Sequence, residues 1–129
     1  MQKGLSRPLT VAAAIAVATF GALVAPAPAS AHWSCGRAAP SDRDSSGNHH
    51  TLYDDQDAYV GSTETCAISA TNIDSRHSLD YHCFTLDYRW DDNEWTWTYV
   101  VVVGTNKRGW IPNWALADYG SDVRCTGDT

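Results

Sequence analysis

Hydrophobic positions in this chain recur at two-residue spacing, the signature of strands that bury one face. In Leu79-Asp80-Tyr81-His82-Cys83-Phe84-Thr85, Leu79, Tyr81 and Cys83 fall on one side and Asp80 and His82 on the other, which predicts a half-buried strand. The run Trp95-Thr96-Trp97-Thr98-Tyr99-Val100-Val101-Val102-Val103 predicts the strongest strand, because aromatic and β-branched side chains suit a pleated surface. Its odd positions from Trp95 to Val103 share one side, and Thr96, Thr98, Val100 and Val102 the other, so its second half is apolar on both faces. Between the two strands, Asp87 to Glu94 is a polar connection suited to a hairpin turn, and Gly104 to Gly109 supplies a second turn. Trp110-Ile111 then starts a short strand that Pro112 must interrupt, since proline cannot donate to a ladder. Asn113-Trp114-Ala115-Leu116 is compatible with one helical turn. No stretch of the mature chain holds helical periodicity for three turns, so short antiparallel strands, an all-β fold, are predicted.

The chain begins differently. Lys3 and Arg7 precede an uncharged, largely apolar run from Leu9 to Val24, followed by Pro26-Ala27-Pro28-Ala29-Ser30-Ala31. These are the three regions of a secretory signal peptide. Ala29 and Ala31 are the small residues required before the cut, which places cleavage between Ala31 and His32. The apolar run is shorter than the 18 or so residues needed to cross a bilayer, so no membrane attachment is expected once residues 1–31 are removed. Residues 32–51 are rich in Ser, Asp, Gly and Ala and read as an irregular arm; residues 52–129 read as one strand-rich domain.

Four cysteines, Cys35, Cys66, Cys83 and Cys125, all lie in the exported part. An even number in a short secreted chain predicts two disulfides. No pair has the close spacing of a zinc knuckle. Three connectivities are open; Cys35–Cys66 with Cys83–Cys125 is the one we expect.

The segment Gly109-Trp110-Ile111-Pro112-Asn113-Trp114-Ala115-Leu116 resembles the end of SH3 domains, where glycine, an aromatic, a β-branched residue and proline precede a helical turn carrying an aromatic. Ala58-Tyr59-Val60-Gly61-Ser62-Thr63-Glu64-Thr65-Cys66 is similar to the opening of bacterial SH3 domains, with Tyr59 where that pattern has Asn and Gly61-Ser62-Thr63 in place of Arg-Ser-Gly-Pro. With the Asp80 to Cys83 strand and the final Gly120-Ser121-Asp122-Val123-Arg124-Cys125, the arrangement looks like small secreted SH3-like proteins of actinobacteria. The resemblance covers residues 52–125. It implies a small, disulfide-stapled SH3-like barrel of five or six short antiparallel strands, and a groove of aromatics beside the proline-containing turn that takes extended peptides. Carried onto this chain, the groove residues are Tyr53, Trp95, Pro112 and Trp114. The implied ligand is cell-wall peptide or another extracellular peptide. No cofactor is implied, and a monomer is expected.

Charge narrows the partners further. The formal net charge is −6, and removal of Lys3 and Arg7 makes it about −8. Phosphate neutralisation needs clustered Lys and Arg, and only Lys107-Arg108 are adjacent, so nucleic acid is not an expected partner. Asp54, Asp55, Asp57, Asp91, Asp92 and Glu94 are available to meet the amines of a wall peptide. Six tryptophans and six tyrosines exceed what so small a core can hold, and Trp97 and Trp110 are the ones expected inside. Asp91-Asp92-Asn93-Glu94 lacks the spaced pattern of a calcium loop, His49 and His50 would face opposite ways in an extended chain, and a copper brace at His32 would need a second histidine and a larger sandwich. No metal site is therefore expected.

Two other function classes remain open to the sequence. One is a secreted inhibitor or effector acting on a protein partner through the 32–50 arm or an exposed loop. The other is a small hydrolase, for which Glu64, Arg76 and His77 are acid-base candidates, although no Gly-x-Ser-x-Gly elbow is present. The expected protein is a non-catalytic binding module, secreted and either free or held at the cell wall.

Overall fold

Strand-forming sequence becomes one antiparallel sheet. The computed structural model describes residues 32–87 and 95–127, and among them lie β1 (Gln56–Tyr59), β2 (Ile68–Ile73), β3 (Leu79–Leu86), β4 (Thr96–Val102) and β5 (Arg108–Pro112), followed by a 3-10 turn at Asn113–Ala115. The spatial order is β2-β1-β5-β4-β3. Apart from that turn, no helix is found among the described residues, and none is long and apolar enough to cross a membrane. The fold is all-β, as the period-two pattern requires. Residues 1–31, which hold the expected signal peptide, residues 88–94 and residues 128–129 lie outside the described residues, and with them Asp91, Asp92 and Glu94.

β3, β4 and β5 form a meander at the positions the sequence predicts. β4 pairs with β3 from Leu86↔Thr96 to Leu79↔Val102, and with β5 from Trp97↔Pro112 to Val101↔Arg108. Pro112 is the last residue of β5, where a missing N–H does least harm to the ladder. β5 begins two residues earlier than predicted, at Arg108.

One expectation about β3 is corrected. Tyr81 lies opposite Val100 but Cys83 lies opposite Tyr99, so two residues of β3 advance against one of β4. This is a β-bulge. It hands the buried side chains of β3 from one face of the sheet to the other, so Leu79 and Tyr81 share a face but Cys83 does not.

That switch lets a single sheet serve two cores. On one face Leu79, Tyr81, Val100, Val102, Ile111 and Leu116 pack with Ala58 and Ile73. On the other, Trp97, Tyr99, Trp110 and Cys83 pack with Trp33 and Cys125. β4 is buried on both faces because it contributes to both clusters, as its doubly apolar sequence foretells. Trp97 and Trp110 are each 1% exposed.

The 32–51 arm contains no strand, yet it is part of the packing. Trp33 is buried, with its ring centroid 5.5 Å from that of Trp110. Isolated bridges join His32 to Leu86, His49 to Leu79 and Thr51 to Leu116. The arm is also held covalently: the disulfides are Cys35–Cys66 and Cys83–Cys125, the pairing expected among the three. Two disulfides fit an oxidising, extracellular environment.

β1 and β2 form a hairpin set against β5, joined to it through Tyr59↔Trp110. The close approach depends on Gly109. A Cβ there would sit 2.9 Å from both the Ala58 Cβ and the Tyr59 carbonyl oxygen, and would meet the Ser69 hydroxyl, at a φ of +151°. Glycine is the residue that permits such backbone contact.

Candidate functional site

Beyond the end of β5 the chain turns so that aromatics face outward. Pro112, extended at φ −63° and ψ 138°, leads into the 3-10 turn. Asn113 and Ala115 of that turn are buried, which leaves Trp114 on its outer side, 41% exposed. The Thr98 hydroxyl donates to Asn113 Oδ1 at 2.7 Å and fixes the turn to β4. The Leu52 N–H donates to the Ala115 carbonyl at 2.8 Å, bringing the neighbouring Tyr53 ring to 6.5 Å from Trp114.

Trp95, Thr96, Asn113, Trp114 and Tyr119 line a cleft of about 240 Å³. Trp95, at the entry to β4, is 45% exposed, and Tyr53 and Tyr119 are more open still. The structure thus brings Trp95 and Trp114 together in the cleft, with Tyr53 beside Trp114 and outside the cleft lining. Pro112 is placed differently: it is buried, paired with Trp97, and positions the turn without lining the cleft. Tyr119 is the member that sequence reasoning missed. It stands in a polar, glycine-flanked loop with a left-handed φ of 66°, and its one sequence signal is an aromatic in a segment with no packing periodicity.

The carboxylates near Tyr53 are partly committed to local structure. Asp54 accepts from the Ser75 backbone N–H at 2.9 Å and from the Ser75 hydroxyl at 2.6 Å. Those bonds hold its carboxyl below the usual range. The Asp55 N–H is bound to Asp74.

A second constellation joins the arm to the C-terminal loop. His49 Nδ1 lies 2.5 Å from Asp118 Oδ2, His49 Nε2 lies 2.9 Å from the Ser46 hydroxyl, and the Tyr81 hydroxyl donates to Asp118 Oδ1 at 2.7 Å. The His49 ring stacks on Tyr81 with centroids 3.8 Å apart and planes 5° from parallel. The Ser46 hydroxyl also contacts Asp44, which in turn accepts from Ser121 at 2.6 Å. The order Ser46, His49, Asp118 is that of a nucleophile, base and orienting carboxylate. Asp44 competes with His49 for the serine proton, however, and the network chiefly ties the arm to Asp118.

Burial raises the carboxyl pKa of both Asp44 and Asp118, but hydrogen bonds outweigh it. Ser121 and Ser46 lower Asp44, and Tyr81 and His49 lower Asp118. A depressed carboxylate stabilises the fold above its unfolded pKa of about 3.9, and that stability is lost as pH falls through the folded value. The urea midpoint should therefore drop below about pH 4. Asp118→Asn should lower the midpoint at neutral pH and flatten the acid limb; an unchanged acid limb would count against the network.

Among the described residues, Asp42, Asp80 and His82 bring one potential ligand atom each within 4.8 Å of one another. His82 Nδ1 faces the Pro40 carbonyl at 3.4 Å and Nε2 faces Asp80 at 3.6 Å. One imidazole and two carboxylates are a donor set that suits a divalent ion. The predicted acid-base candidates are not assembled in this way: His77 Nδ1 accepts from the Asp74 N–H, Arg76 pairs with Asp74, and no hydrogen bond joins either to Glu64.

No family model, curated protein or solved structure matches this chain.

Proposed function

We propose that this protein is a secreted, non-catalytic SH3-like module that binds extended peptide, cell-wall peptide included, across the aromatic cleft at the 3-10 turn. The observation that carries the reading is the exposure of Tyr53, Trp95, Trp114 and Tyr119 around one turn. So many exposed large aromatics in a small soluble domain mark a contact surface, and rigid aromatic walls suit a ligand already extended. Three features favour the SH3-like assignment: the β3-β4-β5 meander, the 3-10 turn after β5, and the Thr51–Leu116 bridge that joins residues on either side of the sheet sequence. The disulfides favour a destination outside the cell.

Trp114→Ala should reduce retention on purified cell walls by roughly tenfold or more, the effect of losing an interfacial anchor. Its far-UV spectrum should stay that of the parent, because the ring lies on the outer side of the turn. Equal retention of parent and variant would reject the cleft as the binding surface.

A hydrolytic reading has one observation in its favour, the Ser46–His49–Asp118 geometry. It requires Ser46 to be acylated or phosphonylated by an electrophile with His49 as base. Labelling of Ser46 by a fluorophosphonate, abolished by His49→Gln, would establish it. No labelling, or labelling indifferent to His49, leaves the constellation a clamp on the arm. The reading as an inhibitor or effector acting through the arm is less well supported, since Trp33 and Asp44 are buried against the sheet.

A further inference from the structure

We infer that a pocket between the 36–39 loop and the inner strands β1, β5 and β4 is a binding site for a carboxylate with a small apolar body. The pocket, about 210 Å³, is lined by Arg37, Tyr59, Val60, Tyr99, Arg108 and Trp110, with Gly36, Ala39, Ser69 and Gly109 completing the wall. It lies apart from the aromatic cleft and shares no residue with it. The inference therefore stands independently of the function proposed above.

Charge is the first argument. Acidic residues outnumber basic ones by 15 to 9 in this chain, yet the lining holds two arginines and no carboxylate. The guanidinium of Arg108 makes no hydrogen bond or ion pair to any described residue. That of Arg37 lies over the Trp33 ring, its Cζ 3.8 Å from the ring centroid, and donates to the Gly127 carbonyl. Stacking orients a planar fork with several N–H donors, and one backbone acceptor does not exhaust them.

Tyr99 supplies the second argument, independent of charge. Its ring is packed, with 6% of the residue exposed, and it lines the pocket. Its hydroxyl takes no hydrogen bond to a described residue and is not sealed in: the buried side-chain polar atom left without a partner is Thr51 Oγ1, so the Tyr99 hydroxyl is open to the pocket and free to meet a ligand. Arg108 is near enough to act electrostatically on it. Of the other two lining hydroxyls, that of Ser69 is already donated to the Arg108 carbonyl at 2.7 Å, and that of Tyr59 lies under the influence of Asp57 and Glu64. The Tyr99 O–H donor beside two guanidiniums is a receptor for an anion with two acceptor oxygens.

The remaining walls define the ligand. Trp110, Val60 and Ala39 are apolar, so the group attached to the carboxylate is apolar as well. Asp57 and Glu64 act on the Tyr59 side, which places the anion toward Tyr99 and Arg108. The volume is below that of pockets for drug-sized molecules, about 300 Å³ and upward. It suits either a short organic acid or the terminal residue of a peptide.

Titration calorimetry on the intact mature protein, with N-acetyl-Ala-Ala as acid, the same dipeptide as its amide, propionate and inorganic phosphate, tests this. The Trp110 indole N–H resonance, followed in parallel, reports the location. Saturable binding of the dipeptide acid, with the amide weaker by roughly tenfold or more, supports a peptide terminus. Propionate binding as tightly as the dipeptide acid supports a free organic acid. Tyr99→Phe, which keeps the ring, and Arg108→Gln should each weaken the acid by roughly tenfold, while Arg76→Gln, which removes a charge elsewhere, should not. Acid and amide binding alike, phosphate binding better than either acid, no saturable binding, or equal losses from Arg76→Gln and Arg108→Gln would each overturn the assignment.

Discussion

Trp97→Ala should lower the unfolding free energy by about 3 to 5 kcal/mol, the range for emptying a large aromatic site in a closed core. Trp97 is 1% exposed, meets the Tyr59 ring edge-on at 5.7 Å, and donates its indole N–H to Asp87 Oδ2 at 2.7 Å. The alanine variant therefore loses packing, aromatic contact and the indole donor to a buried carboxylate together. Domains of this kind are stable by only about 5 to 15 kcal/mol, so the variant should be partly unfolded or close to it at ambient temperature. Trp97→Phe restores most of the volume but not the donor, and should fall between parent and alanine. Urea unfolding followed by far-UV circular dichroism gives the three values. A loss below about 1 kcal/mol for the alanine variant, the scale of a surface change, would contradict the two-core architecture.

The second large effect concerns the disulfides, which should differ in importance although they close loops of similar span. Sequence separations of 31 for Cys35–Cys66 and 42 for Cys83–Cys125 differ in closure entropy by only about 0.3 kcal/mol. Packing separates them. Cys83 is fully buried and Cys125 nearly so, both within the aromatic core, whereas in the other bridge Cys66 is buried outside that core and Cys35 is exposed. The Cys125 N–H also donates to the Phe84 carbonyl, and the Phe84 N–H to that of Val123, fastening the C-terminal segment to β3. Replacing Cys83 and Cys125 together by alanine should cost at least the about 2 to 5 kcal/mol usual for a native bridge in a small secreted domain. The Cys35–Cys66 pair should cost less and be reduced first under mild thiol, as mass mapping of partly reduced protein would show. The reverse order would mean that the arm, and not the aromatic core, limits stability.

How far the sequence reaches can be judged element by element. β3 and β4 were legible because their side chains alternate in an unbroken run, and the 3-10 turn because proline ends β5 where a polar residue and an aromatic follow. Burial of Trp97 and Trp110 was legible for the same reason, each lying inside a strand with apolar neighbours. β2 was not: Ile68–Ile73 is built of Ser, Ala, Thr and Asn between two isoleucines, and all but Ile73 remain partly or fully exposed. A strand held by pairing alone carries no apolar stripe to read. The bulge in β3 depends on which residue of β4 stands opposite, a relation no single segment encodes. Trp33 looked like part of an irregular arm because its partner Trp110 lies far along the chain. Of the cleft, Trp95 and Trp114 came through the resemblance; Tyr53 stands exposed beside Trp114 and Pro112 is buried, both outside the lining, while Tyr119, set by one backbone angle in a loop, had no pattern to reveal it.

The bulge between Tyr81 and Cys83 gives position 82 a backbone duty that its side chain does not share. Tyr81 already stands opposite Val100 and Cys83 opposite Tyr99, so excising His82 would straighten the ladder and leave the side chains on both flanks on the faces they now occupy. What would vanish is a carbonyl: that of His82 accepts the N–H groups of Arg43 and Asp44, each at 3.0 Å, and without it the arm loses an anchorage on β3. Exchanging the His82 side chain keeps that carbonyl in place. The same stretch of gene can thus accept many exchanges of letters at this codon, whereas loss of the codon would loosen the arm and spare the sheet.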